Sequence, residues 1–124
     1  MDVFELFQRL GLALAIGFLV GVERGWRERG EAEGSRTAGL RTFALTGLLG
    51  GISGLVGQEL GAAAFGFLFL GFTAAFSVFK WREAEHENDY SVTAIVAAIL
   101  VFALGAYAVL GDMRVAAAGG VATA

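Results

Sequence analysis

Four stretches of this chain, residues 3–22, 40–56, 61–79 and 92–110, run for seventeen to twenty residues each with almost no charge. At 1.5 Å per residue such a run makes a helix of about 26–30 Å, the thickness of a bilayer's hydrocarbon core. The charged residues gather between the runs. Five of the nine basic residues lie from Arg24 to Arg41, in the segment that separates the first run from the second. A chain patterned this way has few choices, because backbone polar groups in lipid must be satisfied within the segment that crosses it. The expected fold is therefore all-α, a polytopic transmembrane domain.

Composition agrees. In 124 residues, 56% are hydrophobic and the mean hydropathy is +0.68, more apolar surface than a soluble domain of this length buries. The 19 glycines occur with no proline and sit mostly inside the apolar runs, where small residues let helix backbones approach closely. The absence of cysteine excludes disulfides, thiolate metal sites and a cysteine nucleophile. A net charge of −3 gives no reason to expect a nucleic-acid partner. The first run has an acidic start and no small-residue cleavage site at its end, so it is read as a retained helix and not a signal peptide.

Taken in order, helices are expected over about 3–25, 40–56, 61–79 and 92–110, followed by a partial fifth over 114–124 that covers half a bilayer and reads as a helix cut short. Glu5 and Arg9 are the only charges within the first run. They are four apart with the acid first, the favourable order for a pair on one helix face, and close enough to its end to snorkel. Gly17, Gly21 and Gly25 recur every fourth residue, and Gly47, Gly50, Gly51 and Gly54 give the second helix a small-residue side. These two stripes are the expected helix-packing surfaces, and a homodimer through them is expected. A turn over residues 57–60 should make the second and third helices antiparallel, residues 80–90 should be a loop, and Ser91 should cap the fourth helix. Phenylalanines on several sides of the third run suggest that lipid covers much of it.

Basic residues and aromatic anchors set an orientation. Arg24 to Arg41 and then Lys80 and Arg82 fall in the first and third connections, where Trp26, Trp81 and Tyr90 also lie, so both connections are expected on the cytoplasmic face with the N-terminus outside. That face gathers a polar layer: Glu23, Arg24, Arg27, Arg36, Thr37, Arg41 and Thr42 from one connection, Asp89, Ser91 and Thr93 from the other. With the starts of the second and fourth helices adding their positive ends, it could receive an anion. A basic rim facing lipid headgroups, with Glu23 paired to Arg41 or Arg24, explains the same residues without a ligand. Glu5 and Arg9 form a second pair on the external side. No phosphate loop, nucleophile elbow or helical zinc motif is present, and His86 lies alone in an acidic segment, so no enzyme, cofactor or metal site is expected.

The residues Gly17-Phe18-Leu19-Val20-Gly21-Val22-Glu23-Arg24-Gly25-Trp26-Arg27, followed by Ala38-Gly39-Leu40-Arg41-Thr42-Phe43-Ala44-Leu45, resemble the N-terminal membrane domain of the MgtC/SapB family. Phe43 and the sequence Ser91-Val92-Thr93 are most similar to the longer members, which carry a second membrane domain. The resemblance implies a multi-pass inner-membrane protein linked to magnesium homeostasis, and two functions. One is an ion or small-solute translocation module. The other is a regulatory protein acting on another membrane complex such as ATP synthase, with no transport of its own. The partners expected are the lipid bilayer, a second copy of the chain, and either a small solute or a membrane protein. No acid lies at the centre of any of the four runs, which departs from a cation pore. A polar path joining the Glu23/Arg41 layer to the Glu5/Arg9 pair would distinguish the two functions.

Overall fold

The computed structural model describes residues 1–27, 39–87 and 92–124, and the side chains of Arg27 and of residues 83–87 are outside that description. Among the described residues there are five helices and no strands: α1 (Val3–Arg27), α2 (Leu40–Leu60), α3 (Ala62–Glu87), α4 (Thr93–Leu110) and α5 (Met113–Thr123). The first four are each long and apolar enough to cross a membrane, and α5, at 11 residues, is not. Only half of the α4 window and 6% of the α3 window is buried within the chain. The remaining apolar surface is what lipid would cover, so this is a multi-pass membrane domain.

The glycines set the order of packing. A methyl group built on Gly17 or Gly21 would run into the backbone of Phe43 or Leu40 in α2, and one on Gly47 into the Ala13 carbonyl of α1. Residues rising along α1 therefore meet residues falling along α2, and the two helices are antiparallel. On the other side of α2, Gly50 lies against the Phe102 carbonyl, Gly51 against Val109, and Gly54 against Leu110. Here both numbers rise together, so α2 and α4 are parallel. Gly105 of α4 returns the contact on the Gly47 carbonyl. Helix α2 is thus the central element, closed on both sides at backbone distance. Gly17, Gly21, Gly47, Gly50, Gly51 and Gly54 all face helices of their own chain, so a homodimer would have to use a different surface from the stripes expected to form it.

Helices α3 and α5 complete the bundle by different means. Phe102 of α4 is fully buried and receives three rings of α3, those of Phe65, Phe69 and Phe72, with centroids at 5.8, 5.4 and 5.2 Å. Phe76 continues the line onto Phe43 of α2 at 6.5 Å, while Phe67 and Phe79 point outward. α5 lies on α1 and α4, with Ala116 buried beside Ala13, Ile16 and Ala108 and with Gly120 against Ile16.

Several boundaries differ from the sequence expectation. α2 continues through residues 57–60, and the reversal falls on Gly61, whose φ of +106° only glycine adopts readily. α3 likewise continues to Glu87, through a stretch read as loop, because charged residues are no obstacle to a helix leaving the bilayer. α4 begins at Thr93 with Val92 as its N-cap and no side-chain cap; Ser91 lies outside the described residues. α2 also starts without a side-chain cap, on Gly39.

Candidate functional site

The antiparallel order places the C-terminus of α1 and the N-terminus of α2 at one end of the bundle, and the parallel run of α2 with α4 brings the start of α4 to that same end. The polar layer is therefore assembled from three elements. Glu23 and Arg24 are half-buried on the last turns of α1, one turn beyond the Gly21–Leu40 contact. The Arg24 guanidinium lies 5.9 Å from the centre of the buried Phe43 ring of α2, a cation–π contact that ties the two helices where they enter the polar region. Arg41 is exposed on the first turn of α2, Thr42 beside it is half-buried, and Thr93 is exposed at the start of α4. Gly25 is half-buried on the last turn of α1. Arg36, Thr37, Asp89 and Ser91, together with the side chain of Arg27, lie outside the described residues.

Two electrostatic features follow. The first N–H groups of α2 and α4 have no N-cap side chain to receive them, so the positive ends of two helix dipoles face this layer. Among the described residues no ion pair joins Glu23 to Arg41. Of the two pairings expected for Glu23, the one with Arg41 is therefore not made. Just below the layer, Thr46 is buried and its hydroxyl donates to the Thr42 carbonyl at 2.7 Å, which satisfies it within the helix.

The opposite end holds a second polar cluster, and it is larger than the pair read from the sequence. Arg9 Nε lies 3.9 Å from Glu5 Oε2, the i,i+4 pair expected. Arg9 Nη1, however, donates to the carbonyl oxygens of Ala108, Val109 and Gly111 at 3.1, 3.3 and 2.6 Å, two from the last turn of α4 and one from its C-cap. The side chain is 18% exposed, so the guanidinium is held in protein and does not snorkel outward. Beyond it, Asp112 caps α5 by accepting from the Arg114 backbone N–H at 2.8 Å and pairs with the Arg114 guanidinium at 3.3 Å. The Arg114 side chain, then its backbone N–H, and to a lesser degree Arg9, hold the Asp112 carboxyl below its ordinary value. Sequence reasoning found Glu5 and Arg9 but missed Asp112 and the α4 terminus. The need was readable, since an arginine nine residues into a hydrophobic chain requires acceptors, but not which backbone groups would supply them.

Between the two clusters the seam is apolar. Along α1 the inward positions are Ala13, Ile16, Gly17 and Val20, all buried. Buried polar residues among those described are Thr46 and Ser53. An apolar groove between α2, α3 and α4 is lined by Gly54, Phe65, Ala106 and Leu110 among others.

A family model described as the MgtC family covers residues 10–124, nearly the whole chain, including the α1 end and the α2 entry. Neither the curated proteins nor the solved structures contain a match to this chain.

Proposed function

The chain belongs to the MgtC family, and from that membership we propose that it is a membrane regulatory or interaction domain linked to magnesium homeostasis, acting through its surfaces. The observation that carries this reading is the closed seam of the bundle. Gly17 and Gly47 bring α1 and α2 to backbone contact, and Gly50 and Gly105 do the same for α2 and α4, midway between the two polar clusters. A hydrated ion needs a chain of polar groups or a gap several ångströms wide, and at these contacts a single methyl group finds no room. Ser53 and Thr46 are isolated by those contacts and do not link the ends. The exposed outer faces, by contrast, offer a partner both an apolar helix surface and a rim with Arg41 and Thr93 at its edge.

The alternative, an ion or small-solute translocation module, keeps one supporting observation: two helix N-termini without side-chain caps at the Glu23/Arg24/Arg41 layer suit an anionic group. In that reading a path would have to form between copies of the chain or against a partner. In either reading the family membership suggests the inner membrane, and the basic-residue asymmetry favours an N-terminus outside with this layer cytoplasmic. Purified protein in liposomes separates the two readings. Flux of magnesium and of small anions should equal that of protein-free vesicles, and addition of the chain to inverted membrane vesicles should change ATP hydrolysis by the resident synthase. Solute flux that rises with protein and is lost in Arg41→Gln would overturn the regulatory reading.

A further inference from the structure

Arg9 lies in the second turn of α1, on the order of 9 Å from the start of the helix, where a bare charge is costly. Its charge is met on several sides by oxygen. The Ala108, Val109 and Gly111 carbonyls that accept from Nη1 belong to the end of α4, where carbonyls have no partner within their own helix. Ala108 and Val109 are buried, so water does not readily replace what Arg9 gives them. The Glu5 carboxylate flanks Nε, which is itself buried and makes no hydrogen bond, and the Asp112 carboxylate, in the turn that follows Gly111, is near enough to feel the Arg9 charge. Oxygens from α1, from the α4 terminus and from the α4–α5 turn thus converge on one positive group.

We propose that this corner is a cation seat with a tethered occupant: the Arg9 guanidinium fills an oxygen-lined site built by the end of α4, and acts as the positioning residue that holds the α4–α5 turn against α1. The charges support it. Glu5, Asp112 and the negative end of the α4 dipole outweigh Arg114, which is 92% exposed and already paired with Asp112, so without Arg9 the corner is a net anion. The acceptors are carbonyl and carboxylate oxygens, the set that takes a compact cation or a guanidinium and rejects a bulky one. Local packing alone would predict no such selectivity. The consequence is a mechanical link across the sequence: the N-terminal third of the chain fixes where α4 stops and α5 begins.

Chemical rescue tests this on the intact chain in detergent. Arg9→Ala should melt several degrees below the wild type, and low-millimolar free guanidinium should restore most of that loss, while tetramethylammonium at equal ionic strength should not. The wild type, its seat filled, should respond to neither. The proposal is overturned if Arg9→Ala melts like the wild type, if both cations act alike on it, or if the wild type gains as much from guanidinium as the variant does. Should Arg9→Ala fail to accumulate, Arg9→Lys decides: a tethered ammonium of similar reach should melt close to the wild type, and failure to accumulate would discard the cation seat.

Discussion

Gly50 sits where one added methyl group would fall on the carbonyl of Phe102, a backbone atom that cannot move without shifting a whole helix. Gly50→Ala should therefore destabilise the bundle by about 1–3 kcal/mol, the usual cost of overpacking a tight core. Gly66→Ala on α3 is the matched control, since nothing lies near its missing side chain. There the substitution should be neutral or should stabilise by up to about 1 kcal/mol through helix propensity. Thermal melting of both variants in one detergent checks the pair, and equal losses would mean that the α2–α4 contact is looser than described. Asp112 gives a pH dependence. Its carboxyl is held below the ordinary value in the folded state, chiefly by Arg114, so the ionised form contributes stability above the ordinary carboxylate range. That contribution is lost as pH falls through the depressed value. Asp112→Asn should remove this acid-side increment from a melting-versus-pH profile and leave the neutral-to-basic limb parallel to the wild type. Residues like these show how much could be read early. The glycines stood out in the sequence, but spacing could not tell an internal seam from a dimer interface, because both need the same close approach.

Among the elements, α3 is the least buried; it meets α2 through Phe76 on Phe43 and Phe65 on Gly57, and three of its rings converge on one side chain of α4. Phe102 is enclosed by Phe65, Phe69 and Phe72, so Phe102→Ala would remove the shared partner of three rings at once. The expected loss is about 3–5 kcal/mol, typical for truncating a buried phenylalanine. Phe67→Ala, at an exposed position of α3, should change stability little. A protease-sensitivity series resolves whether α3 detaches as a unit: cleavage within residues 62–79 should rise in the Phe102 variant and not in the Phe67 variant. The number of spans, their order and their antiparallel sense were legible from hydropathy alone. Their ends were not. α2 runs on past Gly57 because glycine within an apolar helix is tolerated when neighbours pack on it, and Phe65 lies there. α3 runs on past Lys80 because a helix leaving the bilayer no longer needs apolar residues, so the loss of hydropathy marks the membrane boundary and not the helix boundary.

At the scale of the whole molecule, the two ends of the bundle differ in kind. One end is a polar layer made by the α1 terminus and the starts of α2 and α4, where Arg24, from the basic cluster that stands out in the sequence, lies over Phe43. The other is the Arg9 corner, which sequence reading reduced to a local pair because its acceptors lie about a hundred residues away and are backbone atoms, invisible to any pattern of residue types. The orientation proposed across the membrane rests on the first end. Basic residues and both tryptophans flank the same two connections, between α1 and α2 and between α3 and α4, and positive charge is retained on the cytoplasmic side. Because the helices alternate in direction, the two connections must share a face whichever way the domain inserts. Single cysteines placed at Ser35 and His86 should therefore behave alike, and both should resist a membrane-impermeant thiol reagent in intact cells while reacting after permeabilisation. Labelling of both in intact cells would invert the domain and put the Glu23/Arg41 layer outside. Labelling of one alone would contradict the alternating order of the helices themselves, and with it the packing of α2 between α1 and α4.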